Sequence, residues 1–173
     1  SPLQGKPAGE SIRLAGECCI TVPRLLGDGM SYGIVLYRPS AGGDPRALAR
    51  EDAPEEGARD PAKEAMKRKV ADALIAHDGR LEERDRDYDE ISTLHKMRLD
   101  QAYEHIRAIE LTDVSPGGSG AQITLFDDHA SVTIPHWHEG AAAREQLERV
   151  WRYLDIICEM TGYEVFDVEL DRV

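Results

Sequence analysis

The chain has 173 residues, of which 41% are hydrophobic and 31% charged, and its 33 acidic and 21 basic side chains give a net charge of −12. That length suits one domain, and the charge repels nucleic acid and anionic membrane and could attract a basic partner, the plainer reading being solubility alone. No apolar run approaches the roughly 18 residues of a membrane span. Three cysteines, Cys18, Cys19 and Cys158, make no disulfide framework and fit a reducing cytoplasm.

The first stretch, Ser1–Gly29, is punctuated by glycine and proline and shows no charged-then-apolar leader pattern. It reads as an extension outside the fold, which is then expected to begin at Met30 and to run to Val173 as one α+β domain. Tyr32–Arg38 is rich in β-branched and aromatic residues and stops at Pro39. Its consecutive Ile34, Val35 and Leu36 predict a strand buried on both faces. Ser40–Asp60 carries Gly42, Gly43, Pro45, Pro54 and Gly57 among many charges and reads as a mobile loop, with a helical turn at Arg46–Arg50.

Asp60-Pro61 is a helix start, an N-cap followed by proline at the first helical position. Ala62, Ala65, Met66, Val70, Ala73, Leu74 and His77 share one face at helical spacing, and Asp78-Gly79 is the stop. Leu81–Asp87 is nearly all charge. Asp87–Arg107 reads as helix in two pieces with a break at His95–Met97. A strand is expected over Ile106–Thr112, where Ile109 and Leu111 alternate with polar residues, and Ser115–Gly120 is loop.

Two paired strands follow, Gln122–Phe126 and Ala130–Pro135, joined through Asp127, Asp128 and His129. Ile123, Leu125, Val132 and Ile134 form one apolar face, and Gln122, Thr124, Ser131 and Thr133 the polar one. Gly140–Met160 is an amphipathic helix with the stripe Ala143, Leu147, Val150, Trp151, Leu154, Ile157 and Cys158, and Tyr163–Val168 is a closing strand. The expected architecture is α+β, an antiparallel sheet of four or five strands with two or three helices packed on one face.

Met30-Ser31-Tyr32, Tyr88-Asp89-Glu90-Ile91, Ile109-Glu110-Leu111-Thr112, Gln122-Ile123-Thr124-Leu125-Phe126-Asp127-Asp128 and Val132-Thr133-Ile134-Pro135-His136-Trp137-His138 resemble segments of a family of small bacterial proteins with no assigned activity. The resemblance covers Met30 to Val173 and implies a cytoplasmic bacterial protein whose domain begins near Met30. It carries over no catalytic residue. Members carry Pro-Tyr-Trp where this chain has Pro135-His136-Trp137, which argues against a shared metal role for His136.

Candidate chemistry is sparse. His136 and His138, two apart on a strand, project to one side and could chelate a divalent metal with His129 as a further ligand. The plainer alternative is a packed Trp137 flanked by solvated histidines. Asp127 and Asp128 are a carboxylate pair, but such pairs are commonly turn formers. Tyr88–Ala108 has a helix-turn-helix outline with too many acids for DNA, and Gly117–Gly120 lacks the lysine and the following helix of a phosphate loop. The expectation is therefore a non-enzymatic acidic binding protein, in concrete form an immunity-type protein for a basic effector, without nucleic acid, membrane or cofactor. Its binding surface is expected at Asp127, Asp128, Gln122, Thr124, Ser131, Thr133 and Trp137. The competing expectation is a metal-dependent enzyme using His136 and His138.

Overall fold

The computed structural model describes residues 11–13, 19–21, 31–49, 55, 57–135, 139–168 and 170. The chain divides into two compact units, Ser1–Met30 and Ser31–Val173. In the first, β1 (Ser11–Arg13) and β2 (Cys19–Thr21) pair antiparallel with Ile12 opposite Ile20.

The second unit is α+β. Its sheet has six antiparallel strands: β3 (Tyr32–Tyr37), β4 (Leu81–Glu83), β5 (Ile109–Asp113), β6 (Gln122–Leu125), β7 (His129–Ile134) and β8 (Glu164–Asp167). Their order is β4-β5-β6-β7-β3-β8. Five α-helices accompany it among the described residues: α1 (Pro45–Leu48), α2 (Pro61–His77), α3 (Tyr88–Leu94), α4 (Leu99–His105) and α5 (Gly140–Thr161). No helix of the described residues is long and apolar enough to cross a membrane.

The strand and helix counts exceed the expectation for definite reasons. β4 has only Leu81 turned inward, so its Leu-Glu-Glu looks like part of a charged run. α1 is a single turn whose start is set by the Asp44 carboxylate, which accepts from the Arg46 amide, with Pro45 at the first helical position.

Register puts Leu111, Ile123, Val132 and Ile34 in one row across β5, β6, β7 and β3, and Ile109, Leu125, Ala130 and Leu36 in the next. These rows meet α2 and α5. All eight residues are buried, together with Val150, Leu154 and Ile157 of α5. At ~1.5–3 kcal/mol for each large side chain removed from water, this is the main core. β3 is indeed buried on both faces: Val35 and Tyr37, on the reverse side, cluster with Phe166 under Leu48, Ala49 and Val168. Helical cover is thus not confined to one face, because the segment after β3 folds α1 back over the second.

Both long helices are rotated slightly from their expected stripes. α2 buries Lys67, Val70, Ala71 and Leu74, leaving Met66 exposed. α5 buries Gln146 and Tyr153 besides its aliphatic stripe. Gly162 ends α5 at φ +71°, its amide returning to the Cys158 carbonyl.

Candidate binding surface

The β6–β7 turn is the corner where the charged residues gather. Asp127 and Asp128 are its two central residues, closed by the Phe126 amide donating to the His129 carbonyl at 2.9 Å. Adjacent in sequence, the two carboxylates have opposite fates. Asp127 turns inward. Its Oδ1 meets Lys67 Nζ at 2.7 Å and its Oδ2 meets Arg107 Nη2 at 2.6 Å. Lys67 and Arg107 are themselves buried, with side chains only 4% and 1% exposed.

Their remaining donors are used locally. Lys67 Nζ reaches Glu64 Oε1 at 2.8 Å and donates to the Arg107 carbonyl at 2.9 Å. Arg107 Nε meets Glu55 Oε2 at 3.1 Å, and its Nη1 donates to the Gly57 and Glu104 carbonyls. Glu55 Oε1 in turn accepts the Asp127 amide at 2.6 Å. Burial alone would raise the Asp127 carboxyl, but the bonds from Lys67 and Arg107 outweigh it and hold the group below the usual carboxylate range. At Glu55 burial prevails and the carboxyl is raised.

Asp128 points out, 67% exposed, and pairs with Lys63 Nζ at 2.7 Å. This pair stands at the lip of a cleft of about 450 Å³ between the turn after β3, the first turns of α2 and the end of α5. Arg38, Ser40, Met66, Thr161 and Tyr163 also line it. Arg38 Nη2 donates to the Thr161 carbonyl at 2.8 Å. Burial, with Asp128 adding to it, pushes the Tyr163 phenol up to about 12, so it stays a neutral hydroxyl.

His129 opens β7 on the second face of the sheet. Its ring stacks on Phe126 with centroids 4.2 Å apart and an interplanar angle of 7°. Burial brings its pKa down to about 4, against weaker opposing effects of Asp128 and a hydrogen bond with the Leu48 backbone. It is therefore neutral at pH 7. Thr124 and Ser131, cross-strand partners on the same face, are buried, and Gln122 and Thr133, the next pair, are half-buried. His136, Trp137 and His138 lie outside the described residues. Among the described residues no three His, Cys, Asp or Glu side chains gather as a metal site.

A second polar cluster closes the other end of α2 and α5. Tyr153 Oη donates to Asp78 Oδ2 at 2.7 Å, and Arg80 Nε donates to Asp78 Oδ1 at 2.9 Å. Burial raises the Asp78 carboxyl less than these donors lower it, and its pKa is about 2. Asp113 accepts from the Ser115 and Ser119 hydroxyls and from the Ser119 amide, with Arg149 Nη1 at 3.5 Å. Gly118 is required beside it: a Cβ there would land on the Asp113 carboxylate and the Ser115 hydroxyl.

Further acids of the described residues lie on the surface, Glu83 there paired with Arg68. Glu82, Glu83, Asp85, Asp87, Asp89 and Glu90 are all exposed, along edge strand β4 and into α3. Sequence reasoning singled out Asp127 and Asp128 but missed Lys67, Arg107 and Glu55. The signal for Lys67 was its place at 67, 70, 71 and 74, a helical stripe whose first member is charged. No protein-family model, curated protein or solved structure matches this chain.

Proposed function

We propose that this chain is a non-enzymatic acidic binding protein whose partner is a basic protein, and that its concrete form is an immunity-type protein neutralising a basic effector. One observation carries the reading. The buried carboxylates Asp78, Asp113 and Asp167 and the half-buried Asp127 are each matched by cations or hydrogen-bond donors within the fold. Of the remaining acids among the described residues, Glu82, Asp85, Asp87, Asp89 and Glu90 are exposed, in a chain whose net charge is −12. A field of that sign accelerates encounter with a basic protein and is screened beyond ~8 Å at physiological ionic strength.

The β6–β7 corner is a natural part of this surface. Asp128 is exposed and its partner Lys63 is 39% exposed, so the bond between them is worth roughly 0–1 kcal/mol and can be exchanged for a partner's cation. The test starts from the partner retained by the full chain from its host. It is expected to be basic, to be released as salt rises, and, where toxic, to be neutralised by stoichiometric co-expression. Charge reversal by Asp128→Lys should slow association more than it speeds dissociation. An acidic or neutral partner held equally at all salt concentrations would overturn the reading.

A further inference from the structure

The α3–α4 hairpin is under-packed for its length. α3 buries no residue, and α4 buries only Ala102. Helices of seven residues are not stable by propensity alone; they need burial of an apolar face. Here Tyr88 and Ile91 are half-buried, but much of the apolar surface is turned to water. Leu94, Leu99 and Tyr103 are 70%, 40% and 51% exposed, three of the five large apolar side chains exposed among the described residues. Leu99 and Tyr103 are four apart on one face of α4, and Leu94 ends α3 beside the connection.

The hairpin is nonetheless held in place. The Tyr103 ring rests against Tyr88 with centroids 4.4 Å apart and planes at 33°. Arg59 donates to the Tyr103 carbonyl at 2.5 Å, and Arg86 Nε to the Ala108 carbonyl at 2.9 Å. A fixed aromatic among exposed leucines is the kind of anchor that dominates protein interfaces. Its surroundings select the sign of the partner. Asp85, Asp87, Asp89, Glu90, Asp100 and Glu104 are all exposed, against the exposed Arg59, Arg84, Lys96 and Arg98 and the half-buried Arg86. Asp100 is paired with Arg98 at 3.0 Å and Glu104 lies 3.7 Å from Arg59, so the acidic rim is Asp85, Asp87, Asp89 and Glu90.

We infer that the Leu94–Leu99–Tyr103 face of the α3–α4 hairpin is the docking surface for the basic partner, receiving a segment that carries apolar side chains between lysines or arginines. Its apolar groups cover the two leucines, and a flanking cation lies over the Tyr103 ring. The acidic rim supplies charge complementarity, and the covered leucines supply the burial that α3 lacks on its own. This rests on the reading of the chain as a binding protein for a basic partner and adds the place.

The test uses the full chain and a fluorescent amphipathic helical peptide of leucine and lysine, with a leucine–glutamate peptide of the same pattern as control. Anisotropy should show salt-sensitive binding of the first peptide only. Leu94→Ser with Leu99→Ser should weaken it by roughly tenfold or more, the size of a hot-spot loss, while circular dichroism and the melting temperature stay near those of the parent chain. Asp89→Lys with Glu90→Lys, which leaves the apolar groups intact, should weaken it as well and flatten its salt dependence. If the lysine peptide binds and both double variants leave its affinity unchanged, the docking site lies elsewhere and only the place is wrong. If Asp128→Lys alone abolishes binding, the corner and not the hairpin is the site. If neither peptide binds, the hairpin does not receive a basic amphipathic segment and this inference falls, whereas the binding reading stands or falls with the charge of the partner retained from the host. A concentration-dependent dimer in sedimentation that Leu94→Ser and Leu99→Ser disperse would show that a second copy covers this face and would overturn the proposal.

Discussion

At Lys67 the fold takes a positive charge into its core. The ammonium is 4% exposed and is met by oxygens from Asp127, Glu64 and Arg107. Removing one member of a buried ion cluster costs more than the cluster contributes, because the remaining charges keep their desolvation and lose their partner. Lys67→Met should therefore destabilise the protein by ~3–5 kcal/mol in urea denaturation, although methionine fills nearly the same volume. Asp128→Asn, one residue along from Lys67's main partner, should lie within ~1 kcal/mol of the parent because its own pair is exposed. Equal losses at the two positions would mean that the internal network is not what fixes the turn.

Elements differ as sharply as these residues. Trp151 sits in the α5 stripe, 8% exposed, and Trp151→Ala should cost ~3–5 kcal/mol, read from the denaturation midpoint. α3 lies at the other extreme. With no buried residue it should open locally far more often than α2 or α5, so its amides should exchange with deuterium well before theirs. Protection of α3 equal to that of α5 would contradict its lack of burial. The same contrast explains what could be read from the residues alone. α5, β6 and β7 are legible because each repeats its period over several apolar residues. β4 is not, since a single inward Leu81 makes no pattern. The stripe of α2 is misread by a fraction of a turn because Lys67 looks like a surface residue. Its partners Glu55, Arg107 and Asp127 are distant in sequence, and only the fold brings them to it. Likewise nothing in Asp127-Asp128 tells which carboxylate turns inward. Tyr153, as an aromatic with a hydroxyl, is buried because Asp78 receives that hydroxyl.

Across the whole molecule, titration links these sites to stability. His129 has a pKa of about 4 in the fold against 6.5 ordinarily, so between those values the unfolded chain binds a proton that the folded chain does not. Stability therefore falls as pH drops from 6.5 to 4. Asp78, at about 2 in place of 3.8, extends the loss below that window. The raised Glu55 acts in the opposite sense, since the folded chain holds its proton more tightly. His129→Phe keeps an aromatic ring beside Phe126 and removes the titration. Denaturation midpoints of that variant should decline less between pH 6.5 and 4 than those of the parent, and an identical slope would show that His129 is not the group responsible.

The position of β3 between β7 and β8 has a consequence for biosynthesis. Tyr32 donates a hydrogen bond to Asp167, 135 positions further on, and Tyr37 lies opposite both His129 and Glu164. A nascent chain leaving the ribosome therefore carries Tyr-Gly-Ile-Val-Leu-Tyr, an apolar segment of high β-propensity, with neither neighbour available until β7 and then β8 have been made. The β6–β7 hairpin can close first from adjacent residues, but β3 can pair on both edges only once β8 has also been made. During that interval the segment is open to other nascent chains, so the exposure to off-pathway pairing grows with the time between synthesis of β3 and of β8.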